Sequence, residues 1–146
     1  MTKPSPVPDE VSKPFWAACN ERKLVIQNCT TCNRMQHPPQ RTCGKCGSAD
    51  HLAWRAVSGK GKVHGYCVSH DSRVILLQEI QPFNLAVVAL DDDPDIKMLS
   101  HLPGTPEDEV PVGGAVEVIY EPTYNGQLTY EWKVVTPPQA RPRARA

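Results

Sequence analysis

Two Cys-x-x-Cys knuckles, Cys29-Thr30-Thr31-Cys32 and Cys43-Gly44-Lys45-Cys46, carry the strongest chemistry in the chain, with ten residues between them. A tight turn brings side chains three residues apart together, so each knuckle aims two thiolates at one point. Four thiolates suit a closed tetrahedral Zn²⁺ site with Zn–S distances of about 2.3 Å. Asn33 follows the first knuckle, and Gly44 and Gly47 flank the second, where turns need permissive backbone angles. The gap, which contains His37-Pro38-Pro39, is shorter than the usual ribbon spacing, yet a short hairpin or loop spans it. The expected metal ligands are therefore Cys29, Cys32, Cys43 and Cys46.

Other uses of the same thiols fit less well. Two disulfides require an oxidising compartment, and nothing in the sequence points to secretion. A redox dithiol needs a knuckle at a helix start within a βαβ pattern, which is missing. An iron–sulfur cluster or a rubredoxin-like iron takes the same ligand set, so the spacing leaves zinc and iron both open. In either case four thiolates leave no coordination position for water or substrate, and the metal is read as holding shape rather than doing chemistry.

The remaining reactive residues make weaker patterns. Cys67 lies between His64 and His70, but in a strand the two histidines share one face and the thiol points to the other. That separates nucleophile from base, and no catalytic residue is expected. Asp91, Asp92, Asp93 and Asp95 lack the glycine and terminal glutamate of a Ca²⁺ loop and read as an acidic turn. Gly59-Lys60-Gly61-Lys62 is too short for a phosphate-binding loop and reads as a glycine-bearing loop with two exposed lysines. Cys19 reads as a small packing residue rather than a fifth ligand.

The elements that must position the knuckles are mostly strands. Residues 1–11, with prolines at 4, 6 and 8, read as an extended arm. Ser12 is placed to cap a helix over 13–22, with Pro14 tolerated in its first turn and Phe15, Trp16 and Cys19 as its apolar stripe. Leu24–Gln27 reads as a strand delivering the chain to the first knuckle, and Leu52–Val57 as one leading away from the metal. Beyond them come further β segments at Lys62–Ser69, Val74–Leu77, Phe83–Leu90, Ile96–Leu102, Val116–Tyr120 and Leu128–Val135. Such strands, separated by Gly, Pro and Asp with no long helical period after residue 22, suggest a small barrel. The chain is thus expected to be mainly β: a helix and ribbon over 12–51, a barrel over 52–135, and a disordered proline- and arginine-rich tail over 136–146.

Composition narrows the partners. The 146 residues hold 16 Lys plus Arg against 16 Asp plus Glu, which argues against nucleic acid, since phosphate binding is driven by clustered positive charge. Tyr66, Tyr120, Tyr124 and Tyr130 have few basic neighbours, and tail arginines 141, 143 and 145 give only weak, salt-sensitive attraction. No apolar run reaches the roughly 18 residues of a membrane span. The first residues lack the apolar stretch of a signal peptide, so the expected location is the cytoplasm.

The order of these parts resembles a known family, the acyl-CoA-associated OB-fold proteins with an N-terminal rubredoxin-like zinc ribbon, first described as a domain of unknown function. The matching stretches are Lys13-Pro14-Phe15-Trp16, Lys23-Leu24, the two knuckles, His37-Pro38-Pro39 and Gly59-Lys60-Gly61-Lys62-Val63. Pro82-Phe83 with Val87-Val88-Ala89-Leu90-Asp91, and Val112-Gly113-Gly114-Ala115-Val116-Glu117-Val118, complete the set. Arg22 departs from it, standing where a glycine is common. The resemblance, over about residues 12–135, implies an OB-fold barrel and a non-catalytic subunit that assembles with a thiolase-superfamily enzyme: a thiolase, an acyltransferase or an acyl-CoA aldolase. It also implies that the barrel helps form the partner's acyl-CoA site or channel. The competing class is a single-stranded nucleic-acid-binding module, because zinc ribbons and OB-folds each bind nucleic acid elsewhere.

Overall fold

The computed structural model describes residues 3–135; the tail expected over 136–146 lies outside the described residues. Helix α1 spans Lys13–Asn20, and strands β1 (Val25–Cys29), β2 (Met35–Gln36) and β3 (Leu52–Ala56) form a three-stranded antiparallel sheet in the order β2-β1-β3. The remaining strands are β4 (Lys60–Ser69), β5 (Phe83–Leu90), β6 (Lys97–Ser100), β7 (Ala115–Pro122) and β8 (Leu128–Val134). They form one sheet in the order β6-β5-β4-β7-β8. That sheet curls into the half-barrel of an OB-fold, as the strand pattern and the resemblance imply. Its two edges approach through Tyr130 Oη donating to the Leu99 carbonyl at 3.0 Å and Ser100 Oγ donating to the Tyr130 carbonyl at 3.1 Å.

Alternation places the core. β5 buries Asn84, Ala86, Val88 and Leu90 while Leu85, Val87 and Ala89 stay half-exposed, the period-two pattern of a strand with one inner face, and Phe83 at its start is buried as well. Gly61 is required where β4 crosses close to β5: a Cβ there would sit 2.6 Å from the Ala89 carbonyl oxygen and from Val88 Cγ1. Of the segment read as a loop, Lys60–Lys62 instead begins β4, paired with β5 and β7 and with Lys60 and Lys62 exposed, while Gly59 lies in the bend just before it.

Three local expectations are corrected. Val74–Leu77 is not extended, because its four apolar residues are too few to show a period. Ile75–Gln78 forms one helical turn, α2, with Ile75 78% exposed. Ser12 does not cap α1 with its side chain. Instead Asp9 and Ser12 bond reciprocally, with Asp9 Oδ1 accepting from the Ser12 N–H (2.7 Å) and hydroxyl (2.6 Å). The reciprocal pair sets the turn that enters the helix. The helix also stops before residue 22, where Arg22 adopts φ 58° and closes a Schellman turn through Lys23 N–H to the Ala18 carbonyl at 2.9 Å. Glycine adopts that left-handed conformation at no steric cost, so the departure at Arg22 is a strained one.

The arm before α1 is tied down. Tyr124 N–H donates to the Lys3 carbonyl at 3.2 Å, and the Lys3 ammonium pairs with Glu121 and Glu131 on β7 and β8.

One core serves both sheets. Phe15, Cys19, Leu24, Ile26 and Met35 from the helix and ribbon pack in the same cluster as Val63, Val88, Met98, Val116 and Trp132 of the barrel. Cys19 is fully buried there, and burial pushes its thiol up to about 12, as befits a packing residue.

Candidate metal centre

β1 ends at Cys29, so the first knuckle begins where the strand stops, and β2 returns antiparallel with Asn28 opposite Met35. Asn33 turns that knuckle at φ 56° and Gly47 turns the second at φ 74°, the permissive angles expected of them. Gly44 needs no such angle; its role is a backbone N–H that donates to Gln36 Oε1 at 3.0 Å.

The structure brings all four thiols together, their sulfurs within 4.8 Å of one another. Cys29 Sγ to Cys46 Sγ and Cys32 Sγ to Cys43 Sγ are each 3.6 Å. A tetrahedron with metal–sulfur distances of 2.3 Å has edges of about 3.8 Å, so the spacing fits one ion. Backbone donors favour the thiolate form. The Cys46 N–H and then the Lys45 N–H lower the Cys43 thiol to about 6, and the Cys32 N–H followed by that of Thr31 lowers Cys29. Cys46 is held up at about 11: the Ser48 N–H favours its thiolate, but desolvation and three sulfur neighbours outweigh that. Such a set ionises completely only around a cation. Bound there, the ion would supply cross-linking between the knuckles.

Two buried glutamines support the second knuckle, and the sequence reading missed them. Gln36 Nε2 donates to Gln27 Oε1 at 2.7 Å and to the Thr42 carbonyl at 3.1 Å, while Gln27 Nε2 donates to the Gln40 carbonyl at 2.9 Å. Gln40 N–H donates back to Gln27 Oε1 at 2.9 Å. Polar side chains on the apolar strands beside the cysteines were the available signal. The loop through His37 packs its ring 5.5 Å from Phe15, and burial lowers the imidazole to about 4, so it stays neutral.

The other candidates do not converge. A β-bulge between Val63 and Gly65 falls at His64, and among the described residues no hydrogen bond joins exposed Cys67 to His64 or His70. The aspartates form the β5–β6 turn: Ser58 Oγ donates to Asp92 Oδ1 at 2.5 Å, and Ile96 N–H to the Asp93 carbonyl at 3.0 Å. Of the tyrosines, Tyr124 and Tyr66 reach the surface, while Tyr130 packs against Phe15 at 5.6 Å and Trp16 at 6.3 Å.

A family model described as the rubredoxin-like zinc ribbon domain of ChsH2 matches residues 16–51, and one described as its C-terminal OB-fold domain matches 54–121. A probable enoyl-CoA hydratase alpha subunit from Thermomonospora curvata is 33% identical over 102 residues, 68% of this chain; the chain spans only 30% of that relative's length. A DUF35 domain-containing scaffold protein from Methanothermobacter thermautotrophicus is 25% identical over 114 residues, covering 75% of this chain and 84% of the relative. A solved structure described as the Ltp2-ChsH2(DUF35) aldolase shares the fold with a TM-score of 0.79 at 24% identity, over 90% of this chain and 100% of that one.

Proposed function

This chain belongs to the DUF35 scaffold family, which joins a ChsH2-type rubredoxin-like zinc ribbon to an OB-fold, and from that premise we propose that it is a non-catalytic subunit of an acyl-CoA-processing complex. Its partner is a thiolase-superfamily enzyme: a thiolase, an acyltransferase or an acyl-CoA aldolase. Cys29, Cys32, Cys43 and Cys46 hold a structural Zn²⁺ that fixes the ribbon unit over 12–51. The barrel, whose sheet begins at β4 because β3 (expected in the barrel) pairs with β1 of the ribbon, lies beside the partner's active site and helps form the acyl-CoA channel, excluding water and positioning the thioester. The complex works in the cytoplasm.

The observation that carries this reading is the shared core. A closed four-sulfur site offers no position for substrate, but it stiffens a ribbon that is fused to the barrel through Phe15, Ile26 and Trp132. The result is one rigid body suited to docking. The names of the relatives support assembly with an enzyme, since they include an Ltp2-ChsH2(DUF35) aldolase, an enoyl-CoA hydratase subunit and a scaffold protein. Exposed apolar side chains at Val74, Ile75 and Leu76 are of the kind a partner covers. Among the described residues no helix is long and apolar enough to cross a membrane.

The test is affinity capture of the full chain from its native host, read by mass spectrometry, beside zinc content and the Cys46→Ser variant. The expected result is one zinc per chain and a co-purifying thiolase-superfamily enzyme, both lost in the variant. Undiminished capture by the metal-free variant, or thioester turnover by the chain alone, overturns the proposal. A gel shift of single-stranded oligonucleotide at low salt with no enzyme captured would favour the nucleic-acid reading instead.

A further inference from the structure

Behind the second knuckle, residues 38–42 run from β2 to Cys43 without helix or strand. Among the described residues, every hydrogen bond that ties this run to the rest of the chain passes through Gln27 or Gln36. Gln27 takes both backbone groups of Gln40, accepting its N–H and donating to its carbonyl, each at 2.9 Å. Gln36 reaches the knuckle itself. Its Nε2 donates to the Thr42 carbonyl at 3.1 Å, and its Oε1 accepts the Gly44 N–H at 3.0 Å. The groups on either side of Cys43 are thus held by one side chain. The first knuckle needs no such brace, because β1 carries Cys29 and the Cys29 N–H donates to the Arg34 carbonyl at 2.9 Å.

The backbone decides which way each amide points. Gly44 and Gln40 present N–H groups, so an oxygen must face each of them. That turns Gln36 Nε2 onto Gln27 Oε1 at 2.7 Å. Reversing either amide would set donor against donor or acceptor against acceptor. The two side chains are 6% and 9% exposed, so water does not replace a lost partner cheaply. With its own N–H engaged by Gln36, Gly44 leaves the next N–H of the turn, that of Lys45, 3.4 Å from Cys43 Sγ. Gln36 acts on the sulfur through the backbone rather than by touching it.

Resting on the reading that the four cysteines hold a metal, we infer that Gln36, braced by Gln27, is a positioning residue of that centre. It keeps Cys43 in place before the ion arrives and slows the ion's departure, because the second knuckle does not swing off the first while both amides are engaged. The glutamines work as one unit, and losing either frees the same loop.

Zinc release from the full chain into excess 4-(2-pyridylazo)resorcinol, followed by absorbance, tests this. Gln36→Ala and Gln27→Ala should each release zinc about 10–100-fold faster than wild type, the usual effect of removing a group that orients metal ligands. The double variant should stay within about threefold of the faster single one, since both belong to one network. Val88→Ala, in the barrel core, controls for general loss of stability and should stay within about twofold of wild type. In the Co²⁺-loaded chain, Gln36→Ala should shift the thiolate-to-cobalt charge-transfer band, and Val88→Ala should leave it unmoved. Three results overturn the inference while leaving the metal reading standing: release by Gln36→Ala at the wild-type rate, fully additive effects of the two glutamine substitutions, or equal acceleration by Val88→Ala. A wild-type chain that takes up no metal overturns both. If Gln36→Ala fails to fold, Gln36→Glu, which keeps the shape but cannot donate to Gln27 or Thr42, gives the same comparison.

Discussion

Phe15 joins the ribbon to the barrel, and Phe15→Ala measures how strongly. The side chain is 3% exposed, with the His37 ring of the ribbon loop tilted against it at 5.5 Å and Tyr130 of β8 edge-on at 5.6 Å; Trp16 adds a second edge-to-face contact at 5.0 Å. Truncating a buried phenylalanine to alanine costs about 3–5 kcal/mol, including the cavity left behind. Aromatic pairs add roughly 0.5–1.5 kcal/mol beyond burial, which places this site in the upper half of that range, about 4–5 kcal/mol. Phe15→Leu keeps most of the buried area and loses only the ring geometry, about 1–1.5 kcal/mol. Urea unfolding of the zinc-loaded chain gives both numbers. Amide exchange then asks where the loss falls. If the two sheets share one core, protection at Ile26 of β1 and at Tyr130 of β8 drops by the same amount in Phe15→Ala. A cost under about 1.5 kcal/mol, or loss confined to one sheet, would refute the shared-core reasoning.

Two further outcomes follow from strain and burial. Arg22→Gly should stabilise the chain by about 0.5–1 kcal/mol, because relief of the left-handed conformation at φ 58° exceeds the added freedom of an unfolded glycine; a lower midpoint in thermal unfolding would contradict it. His37 has a folded value near 4 against an ordinary 6.5, so its contribution to stability is complete above pH 6.5 and disappears as pH falls toward 4. With allowance for its partial exposure, about 2 kcal/mol should be lost over that window. His37→Gln should flatten that part of the pH–stability curve, and an unchanged slope would show that another group is responsible.

The sequence showed most clearly what depends on short spacing. Paired cysteines three apart must meet, and the apolar run Phe83–Leu90 is a strand with the bounds read for it. Long-range arrangements were not legible. A half-open cavity in the barrel draws its walls from the arm, α1, the α2 segment, β5, β6 and β8, and no local pattern joins Lys3 to Glu131 across more than a hundred positions. The glutamines behind the second knuckle were hidden for a similar reason, since Gln27 and Gln36 meet only once β1 and β2 pair in register. α2 failed through brevity, as four apolar residues fit strand and helix alike. Asp9 and Ser12 were readable as a reciprocal pair, but a serine just before an apolar stripe is the more familiar cap.

The common core also limits how such chains can be recombined. A crossover placed in the linker at Val57 looks harmless in sequence, yet it would graft a foreign helix and ribbon onto β8 without the matching Tyr130 and Trp132 surfaces. Natural chimeras of this architecture should therefore be rare, with α1 and the β8 face inherited as a pair.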